Sequence, residues 1–454
     1  MAAEPVADRP GFTEKLAFFA GVAGGALMGG VSGFLLLYLT DVVGIGAAAV
    51  GTLMLVARIV DGASDPIMGY LVDHLPVTRW GRFRLYVLVG GLLCAVCLIA
   101  LFAAPAWFPN ALLAAWVTYL LWGLLLDLFQ IPVTSLLPVV AGDARTRGQL
   151  AGIVGFTGLL AAALSTGLTL PLVKLLGGGT GGWLTYVTIV AGVGCVLVTI
   201  MALRVRERVV PLSAERYRLS DVRRVFFSHR AVPILLTSKV AVQAASGSLT
   251  AAMPYFFLYY IGDQNYLTVA ALVMALPMVI GALAVPVFAR RAGAKPGYLL
   301  SLGLSILGLA LLMVVPPAPV PVMLCFVVTG FGFGGAVALG LVLLAELADY
   351  TEWRYGFRTE ASLAAMTSFA TKAGAGVGGG LLAYTLALTG YRSGGVTQSP
   401  EAVQGILYAQ SLIPAVIGLV GALAFAFYPI THSVAHQAAA ELATRKAAQR
   451  EAVA

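Results

Sequence analysis

Charged residues are scarce in this sequence. Lys, Arg, Asp and Glu together make up 11% of the 454 residues, whereas an average soluble domain contains about 25%. A soluble chain of this length would form two or three domains, and 28 basic and 20 acidic side chains are too few to cover their surfaces. Hydrophobic residues make up 60%. The composition therefore excludes nucleic-acid binders and disordered chains, and it predicts a polytopic membrane protein.

Cysteine and histidine are also scarce, with four of each, which excludes a disulfide scaffold. Cys94 and Cys97 form a C-x-x-C pair, but their flanks (LLCAVCLIA) are apolar and no second pair accompanies them. Packing as small hydrophobic residues explains them better than zinc or redox chemistry. His432 and His436 are spaced i and i+4 in a polar tail without a third ligand nearby. We therefore predict no Cys/His metal centre.

Nucleotide-binding signatures are missing as well. No G-x-x-x-x-G-K-[ST] loop occurs, so ATP hydrolysis is not expected to drive this protein. Gly330, Gly332 and Gly335 fit G-x-G-x-x-G, yet they lie inside an apolar window with no strand before them. Close packing between helices is the better explanation for these glycines.

Long apolar runs dominate the sequence. A bilayer core about 30 Å thick requires about 20 apolar residues per helix. Twelve such windows predict an all-α membrane protein with 12 transmembrane helices, at residues 16–40, 47–73, 85–105, 110–140, 148–173, 182–203, 231–261, 266–289, 297–315, 320–348, 361–389 and 403–428.

Basic residues are concentrated on one side of this layout. If the N-terminus, the even-numbered loops and the C-terminal tail are cytoplasmic, that side holds 23 of the 28 Lys and Arg residues and the outer loops hold two. Because cytoplasmic loops carry an excess of Lys and Arg, the distribution predicts a multi-pass protein of the plasma (inner) membrane with both termini in the cytoplasm. The same asymmetry explains the net charge of +8, which indicates no nucleic-acid partner.

A weak internal repeat divides the windows into two sets of six. FLLLYLTD (34–41) and FFLYYIGD (256–263) each end the first window of a set. Repeats of this kind are typical of the major facilitator fold, in which substrate binds between the halves near the middle of the membrane. We predict an N-terminal half with the cation site at 1–203, a basic cytoplasmic linker at 204–230, a C-terminal half at 231–428 and a cytoplasmic tail at 429–454.

Three ionisable residues lie on one face of the second window. Arg58, Asp61 and Asp65 are spaced i, i+3 and i+7. A charge at the bilayer centre costs about 3 kcal/mol or more, so three charges on one stripe indicate a function. Two carboxylates that face a polar cavity can coordinate a small cation such as Na⁺ or exchange a proton. The alternative is a structural Arg–Asp pair with no role in transport.

Two further ionisable residues inside apolar windows are candidates for the same site. Asp127 lies in the fourth window and Lys372 in the eleventh. A lysine that faces acids across a cavity would pair with them in one state and release them when ions or substrate bind. A static salt bridge that joins the two halves is the alternative.

Five longer motifs occur across both halves: YLTDVVGIGAAAVGTLMLVARIVDGASDPIMGYLVD, TRWGRFR, IPVTSLLPVV, ELADYTEWRYGFR and SFATKAGAGVGGGLLAY. Together they resemble the glycoside–pentoside–hexuronide:cation symporters, the melibiose permease family. The resemblance implies a major facilitator fold in which Na⁺, Li⁺ or H⁺ drives uptake of a sugar or glycoside. Asp61 and Asp65 match the family's two cation aspartates, Lys372 matches its helix-eleven lysine, and Arg58 matches a nearby arginine.

The positions that contact substrate in this family differ in the present sequence. The resemblance aligns two sugar-binding aspartates with Ala26 and Gln130, and a neighbouring tryptophan with Thr134. Gln130 can hydrogen-bond a hydroxyl but lacks the charge of a carboxylate. We therefore assign these three positions to substrate binding and expect a different glycoside or a non-sugar solute.

A threonine that helps to hold Na⁺ in the family aligns with Asp127. Asp127 thus adds a carboxylate to Asp61 and Asp65, and three acids with few cations nearby repel each other, which favours proton binding. Tighter Na⁺ binding, with another cation balancing the charge, is the alternative. We predict coupling to H⁺ or Na⁺, with H⁺ favoured, and no other metal or cofactor.

The segment that ends in RWGRFR resembles the loop between helices two and three of major facilitators, where charges hold the helices in one conformation. A second cluster, with Glu346 and Arg354, ends the tenth window; a solvated helix end is its alternative explanation. The predicted conformational latch comprises Asp73, Arg79, Arg82, Arg84, Asp349 and Glu352.

These features predict a symporter, and not an enzyme, that imports a sugar, glycoside or related small polar solute by alternating access. We expect a monomer in contact with membrane lipid. The missing sugar carboxylates leave open a transporter of lysolipids or other amphiphiles. An intramembrane aspartyl protease would place its aspartates on separate helices, whereas Asp61 and Asp65 are one turn apart. A pure signalling receptor would leave these acids unexplained.

Overall fold

The structure is a computed structural model, and nearly all of its regular secondary structure is helical. Some helical side chains, including those of Asp65 and Asp73, are not described. The described residues are 10–74, 81, 83–140, 144–207, 226, 229–355, 360–392 and 397–453.

Each of the first six predicted windows contains a helix whose ends lie within a few residues of the prediction. Helix α1 changes from an α-helix to a π turn at Tyr38–Val42 before it ends. The helices are α1 (Phe12–Val42), α2 (Ala47–His74), α3 (Arg84–Trp107), α4 (Ala111–Val140), α5 (Ala144–Leu175) and α6 (Gly179–Arg204).

The second six windows also contain helices, and a further helix covers much of the tail. Helix α10 continues to Tyr355, past its predicted end at residue 348. The helices are α7 (Ala231–Tyr255, followed by a π turn at Phe256–Tyr260), α8 (Asn265–Ala292), α9 (Ala294–Leu311), α10 (Pro319–Tyr355), α11 (Glu360–Leu388), α12 (Pro400–Ala426) and α13 (His432–Val453).

Nine of these helices, counted over the described residues, are long and apolar enough to cross a membrane. A crossing by all twelve stays a prediction, as does the side on which the termini lie. The chain divides into two compact units. The first comprises Met1–Glu215, Asp263–Ala271 and Tyr391–Gln398, and the second comprises Arg216–Gly262, Leu272–Gly390 and Ser399–Ala454.

In the first unit, α1 packs on α5 and α6, α3 packs on α4 and α6, and α2 packs on α4. Tyr38, Phe102 and Trp183 form a buried aromatic cluster near the end of α1. The Tyr38 hydroxyl donates a hydrogen bond to the Phe102 carbonyl oxygen at 2.6 Å. This contact joins α1 to α3, and α3 packs in turn on α4.

In the second unit, α7 packs on α11 and α12, α9 packs on α10 and α12, and α13 packs on α10. Helices α8 and α10 approach very closely: a Cβ atom on Gly330 would collide with the Met274 carbonyl oxygen. A Cβ atom on Gly335 would lie 2.5 Å from the Ser301 hydroxyl oxygen. Close packing therefore accounts for these two glycines of the G-x-G-x-x-G pattern, as predicted.

The two repeat segments end in the same way. A π turn follows each first helix, and a glycine with positive φ then stops it: Gly44 has a φ of 86° and Gly262 a φ of 80°. An L side chain is strained in that region of φ, so glycine is required where the helix turns away. This shared ending supports the internal repeat seen in the sequence.

Candidate cation and substrate site

The polar face of α2 carries the first part of the site. Arg58, Asp61 and Ser64 lie about one turn apart along it. Arg58 Nη1 donates to Asp61 Oδ2 at 3.3 Å, and the Ser64 hydroxyl donates to the Asp61 carbonyl oxygen at 2.9 Å. Asp61 is only 6% exposed, so the Arg58 guanidinium supplies a positive charge beside a buried carboxylate.

Helix α4 contributes a facing stripe of Tyr119, Gly123 and Asp127, spaced i, i+4 and i+8. This spacing keeps all three residues on one face of a helix. Tyr119 is 3% exposed and Asp127 is 4% exposed, so the stripe is buried against other helices. A second buried carboxylate therefore lies on a helix that packs directly on α2.

The polar face of α2 and the facing stripe of α4 contact each other at successive helical turns. The Arg58 guanidinium carbon lies 5.9 Å from the centre of the Tyr119 ring, within range of a cation–π contact. One turn further along, Gly123 faces Asp61, and a Cβ atom on Gly123 would lie 3.1 Å from Asp61 Oδ1. Only glycine leaves room for the Asp61 carboxylate to rest on the α4 backbone without a shift.

The next contact along the α2–α4 interface involves Asp127, the second carboxylate. Ser64 Oγ lies 3.5 Å from Asp127 Oδ2, at the outer limit of a hydrogen bond. Asp61 and Asp127 thus take part in neighbouring contacts of the same α2–α4 interface, about one helical turn apart. Carboxylate and hydroxyl oxygens are the ligands that hard cations prefer, and a carboxylate oxygen is also a site at which a proton can bind. The arrangement is suited to binding either Na⁺ or H⁺.

The predicted substrate positions lie close to this interface in the chain. Gln130 and Thr134 are exposed on α4, at three and seven residues beyond Asp127, and Ala26 is half-buried on α1. The Thr134 hydroxyl lies 2.9 Å from the Ile131 carbonyl oxygen and donates within its own helix. Gln130 is therefore the side chain of this group best able to offer donors to a solute.

Among the predicted latch residues, Arg84 is the one whose contacts are well described. Its Nε donates to the Ala202 carbonyl oxygen at 2.8 Å, and its Nη2 donates to the Leu203 carbonyl oxygen at 3.0 Å. Arg84 therefore joins the start of α3 to the last carbonyls of α6, where a cation is favoured by the helix dipole. Asp349 and Glu352 are half-buried near the end of α10.

For several predicted residues the predicted role stays untested by the described contacts. Arg79 and Arg82 lie outside the described residues, as do the side chains of Asp65 and Asp73. Lys372 is half-buried on α11 in the second unit. Its predicted role as a partner of the acids stays a prediction.

Sequence reasoning missed three residues of the α2–α4 interface: Ser64, Tyr119 and Gly123. A pattern was present for two of them, because Tyr119 and Gly123 precede Asp127 at intervals of four residues. For Ser64 the position one turn after Asp61 was the only indication. A hydroxyl, a phenol and a glycine inside apolar windows carry little meaning until the facing helix is known.

Comparison with solved structures identifies the fold. A D-xylose-proton symporter matches with a TM-score of 0.64 at 15% identity, over 93% of this chain and 99% of that chain. A bacterial homolog of the human lysosomal transporter Spinster, in an inward-facing and unoccupied conformation, matches with a TM-score of 0.68 at 13% identity, over 92% and 95%. At these identities the likeness shows the fold alone, which is the all-helical fold of membrane transporters.

Comparison of sequences identifies the family. A sequence model of the family described as MFS/sugar transport protein matches residues 17–432. The isoprimeverose transporter of Lactiplantibacillus pentosus is 31% identical over 410 residues, covering 88% of this chain and 85% of that protein. A glucuronide carrier protein homolog of Escherichia coli (strain K12) is 29% identical over 429 residues, covering 92% and 93%.

The chain therefore belongs to the MFS/sugar transport protein family and has the major facilitator fold. The resemblance to glycoside–pentoside–hexuronide:cation symporters is confirmed by these matches. It is a multi-pass membrane transporter and not an enzyme.

Proposed function

We propose that this chain is a cation-coupled secondary symporter that imports a sugar, glycoside or related small polar solute by alternating access. Relatives named an isoprimeverose transporter and a glucuronide carrier protein homolog match it over most of its length. A further relative from Escherichia coli (strain K12) is named a putative glycoside/cation symporter. The observation that carries the proposal is the buried Asp61 of α2, which faces α4 one step from Asp127.

The cation binds at the α2–α4 interface in this proposal. Asp61 and Asp127 supply carboxylate oxygens from facing helices, and Asp65 adds a third carboxylate one turn beyond Asp61 on α2. Arg58 balances the charge of Asp61 when no cation is bound, because it already lies 3.3 Å away. Lys372 acts as the second charge partner.

The proposed coupling ion is H⁺. The family's Na⁺-holding threonine is replaced by Asp127, so the interface has one more acid than a Na⁺ site of that family requires. Two carboxylates on successive steps of a buried interface repel each other when both are charged, and one bound proton removes that repulsion. Na⁺ coupling is the outcome that the experiment below must distinguish.

The solute binds next to the cation site. Gln130 and Thr134 continue along α4 from Asp127, and Ala26 on α1 completes the proposed substrate positions. Because one rigid helix carries both groups, a shift of α4 on cation binding would move Gln130 as well. This shared helix is a direct route for coupling the two ligands.

The proposed topology is twelve membrane spans in the plasma (inner) membrane, with both termini in the cytoplasm and the protein as a monomer. The excess of basic residues in the predicted cytoplasmic loops supports it. The halves at 1–203 and 231–428, the linker at 204–230 and the tail at 429–454 belong to the same proposal. The proposed conformational latch comprises Asp73, Arg79, Arg82, Arg84, Asp349 and Glu352.

Solute-evoked charge movement in proteoliposomes tests the proposal. Glycosides, pentoses, hexuronides and lysolipids are each applied with and without Na⁺ at two pH values. We expect a current for one sugar-like solute that depends on pH at fixed Na⁺. A current that requires Na⁺ and is flat with pH would overturn H⁺ coupling, and a response to lysolipids alone would overturn the sugar assignment.

Asp61→Asn tests the cation site itself. The amide keeps the size of the side chain but cannot carry the charge, so we expect solute accumulation to fall to the level of empty liposomes. Glu401→Gln is the matched control, because Glu401 is an exposed acid at the start of α12. Wild-type accumulation in Asp61→Asn would contradict the assignment.

A further inference from the structure

Helix α12 is interrupted near its middle. Its two α-helical segments are Pro400–Gln410 and Leu412–Ala426, and Ser411 between them has φ −124° and ψ −69°. Pro414 explains the break, because proline has no N–H to donate to the carbonyl oxygen four residues earlier and its ring crowds that carbonyl. The carbonyl deprived of its helical donor belongs to Gln410.

The side chain of Gln410 lies at the same break and is fully buried, at 0% exposure. Neither its Oε1 nor its Nε2 has a hydrogen-bond partner among the described residues. Burying an amide without hydrogen bonds is unfavourable, and more so in a bilayer because no bulk water can replace the missing bonds. The polar groups of this one residue therefore need a ligand.

The hydroxyl groups of the two nearby serines donate to carbonyl oxygens other than those of Gln410. Ser248 on α7 donates to the Ala409 carbonyl oxygen at 3.0 Å. The Ser411 hydroxyl donates to the Leu407 carbonyl oxygen, which also accepts the Ser411 N–H at 3.0 Å. The break thus leaves the two Nε2 hydrogens and the Oε1 acceptor of the Gln410 side chain to be satisfied by something other than these serines, beside a main-chain carbonyl that lacks its α-helical donor.

We propose that Gln410 and the break in α12 form a binding site for an internal water molecule. Water is small enough for a fully buried site, and it accepts from Nε2 while it donates to Oε1 or to the main-chain carbonyl. A cation would bind the amide oxygen but leave the Nε2 hydrogens without an acceptor, and a solute of sugar size would need an opening at a residue with 0% exposure. The bound water stabilises the break that Pro414 creates.

A direct test is a structure of the full-length wild-type protein in lipid nanodiscs at a resolution that shows ordered water. We expect a density peak within about 3.2 Å of Gln410 Nε2 and of a Gln410 carbonyl oxygen. Density that instead shows the Gln410 amide bonded to protein groups, with no separate peak, would overturn the proposal. This readout does not depend on transport, so it stays informative if the proposed symport is wrong.

Radiolytic hydroxyl labelling is a second test, because hydroxyl radicals that form at bound water modify adjacent side chains that bulk solvent cannot reach. Labelling of Pro414 and Leu407 should fall at least threefold in Gln410→Leu, which removes the amide. Pro414→Ala, which returns an N–H to the Gln410 main-chain carbonyl but keeps the side-chain amide, should reduce labelling of Leu407 less than Gln410→Leu does. Gln404→Leu is the matched control, since Gln404 is exposed on the same segment. Labelling that is unchanged in both test variants would overturn the water site.

Discussion

Gly123 on α4 faces Asp61 on α2 so closely that a Cβ atom on Gly123 would lie 3.1 Å from Asp61 Oδ1. The absence of a side chain at one position thus sets the location of a buried charge on another helix. Coupling in a symporter requires that a bound cation change how its helices pack. An interface in which the carboxylate rests on a neighbouring backbone is sensitive to small shifts of that kind.

Gly123→Ala should weaken cation binding about five- to tenfold. The added methyl forces the Asp61 carboxylate away from α4. Overpacking of this kind costs about 1–3 kcal/mol, and a loss at the lower end of that range in the free energy of cation binding gives the stated change in affinity. The measurement is the cation dependence of transport or of thermal stability in nanodiscs. Gly192→Ala is the control, because a Cβ atom there meets nothing within 4 Å. Equal cation affinity in the two variants would remove Gly123 from the site.

Asp127→Thr should change the coupling ion from H⁺ towards Na⁺. Threonine removes one of the two buried carboxylates and supplies a hydroxyl oxygen, which is a Na⁺ ligand but accepts no proton near neutral pH. We expect transport in the variant to rise severalfold with Na⁺ and to depend little on pH between 5.5 and 7.5. Asp127→Ala is the comparison, since it removes the carboxylate without supplying oxygen. An unchanged pH dependence in Asp127→Thr would exclude Asp127 as the protonated group.

Glu207→Ala should lower the stability of the first unit by about 1–2 kcal/mol. Glu207 Oε1 accepts the backbone N–H groups of Phe83 at 2.8 Å and Arg84 at 3.1 Å, so it caps α3 from beyond the end of α6. Loss of a cap leaves both donors without that acceptor. Thermal unfolding in nanodiscs measures the effect. Arg206→Ala is the comparison, because Arg206 is exposed and its backbone N–H, which donates to Glu14 Oε1 at 2.8 Å, is kept when the side chain is truncated. Equal melting temperatures in both variants would contradict the capping role.

His229 should make the protein less stable as the pH falls below about 6.5. Burial, followed by the charges of Arg354 and Arg230, lowers the pKa of His229 in the folded protein below its usual 6.5. The unfolded chain then binds a proton at a higher pH than the folded one, so the free energy of unfolding decreases from pH 6.5 down to the folded pKa. The neutral ring also accepts the Ala231 N–H at Nδ1, 3.2 Å away, a contact that protonation removes.

Melting temperatures at pH 7.5 and 5.5 measure this effect. His229→Gln should show a smaller decrease between the two pH values than the wild type, because glutamine does not titrate. His436→Gln, at an exposed position on α13, should retain the wild-type decrease. Identical pH dependence in all three proteins would exclude His229 as the titrating group.

The sequence predicted the helices well, because crossing a bilayer imposes a local requirement. About 20 apolar residues in a row are recognisable without any knowledge of their neighbours, and each predicted window contains a helix. The charged face of α2 was recognisable for the same reason. Arg58 and Asp61 are three residues apart on a helix, and the helix alone brings them within 3.3 Å.

The partners across helices could not be predicted in this way. Ser64 and Asp127 are 63 residues apart in the chain, and their contact depends on how α2 packs on α4. The sequence likewise marked Arg84 as one of a group of basic loop residues. The structure shows where its donors lie, on the last carbonyls of α6, which are more than 100 residues away.

The sequence alone thus established the class of membrane protein and the order of its helices. It also identified the acidic residues inside apolar windows, which indicate a function because a charge is costly in a bilayer. Tertiary structure decided which residues face those acids and which polar groups remain unsatisfied. Gly123 and Gln410 both look ordinary in an apolar window. Their importance arises from a facing carboxylate in one case and from burial beside a proline break in the other. Hydrophobicity is a property of each segment, whereas space and hydrogen-bond partners are properties of the packed helices.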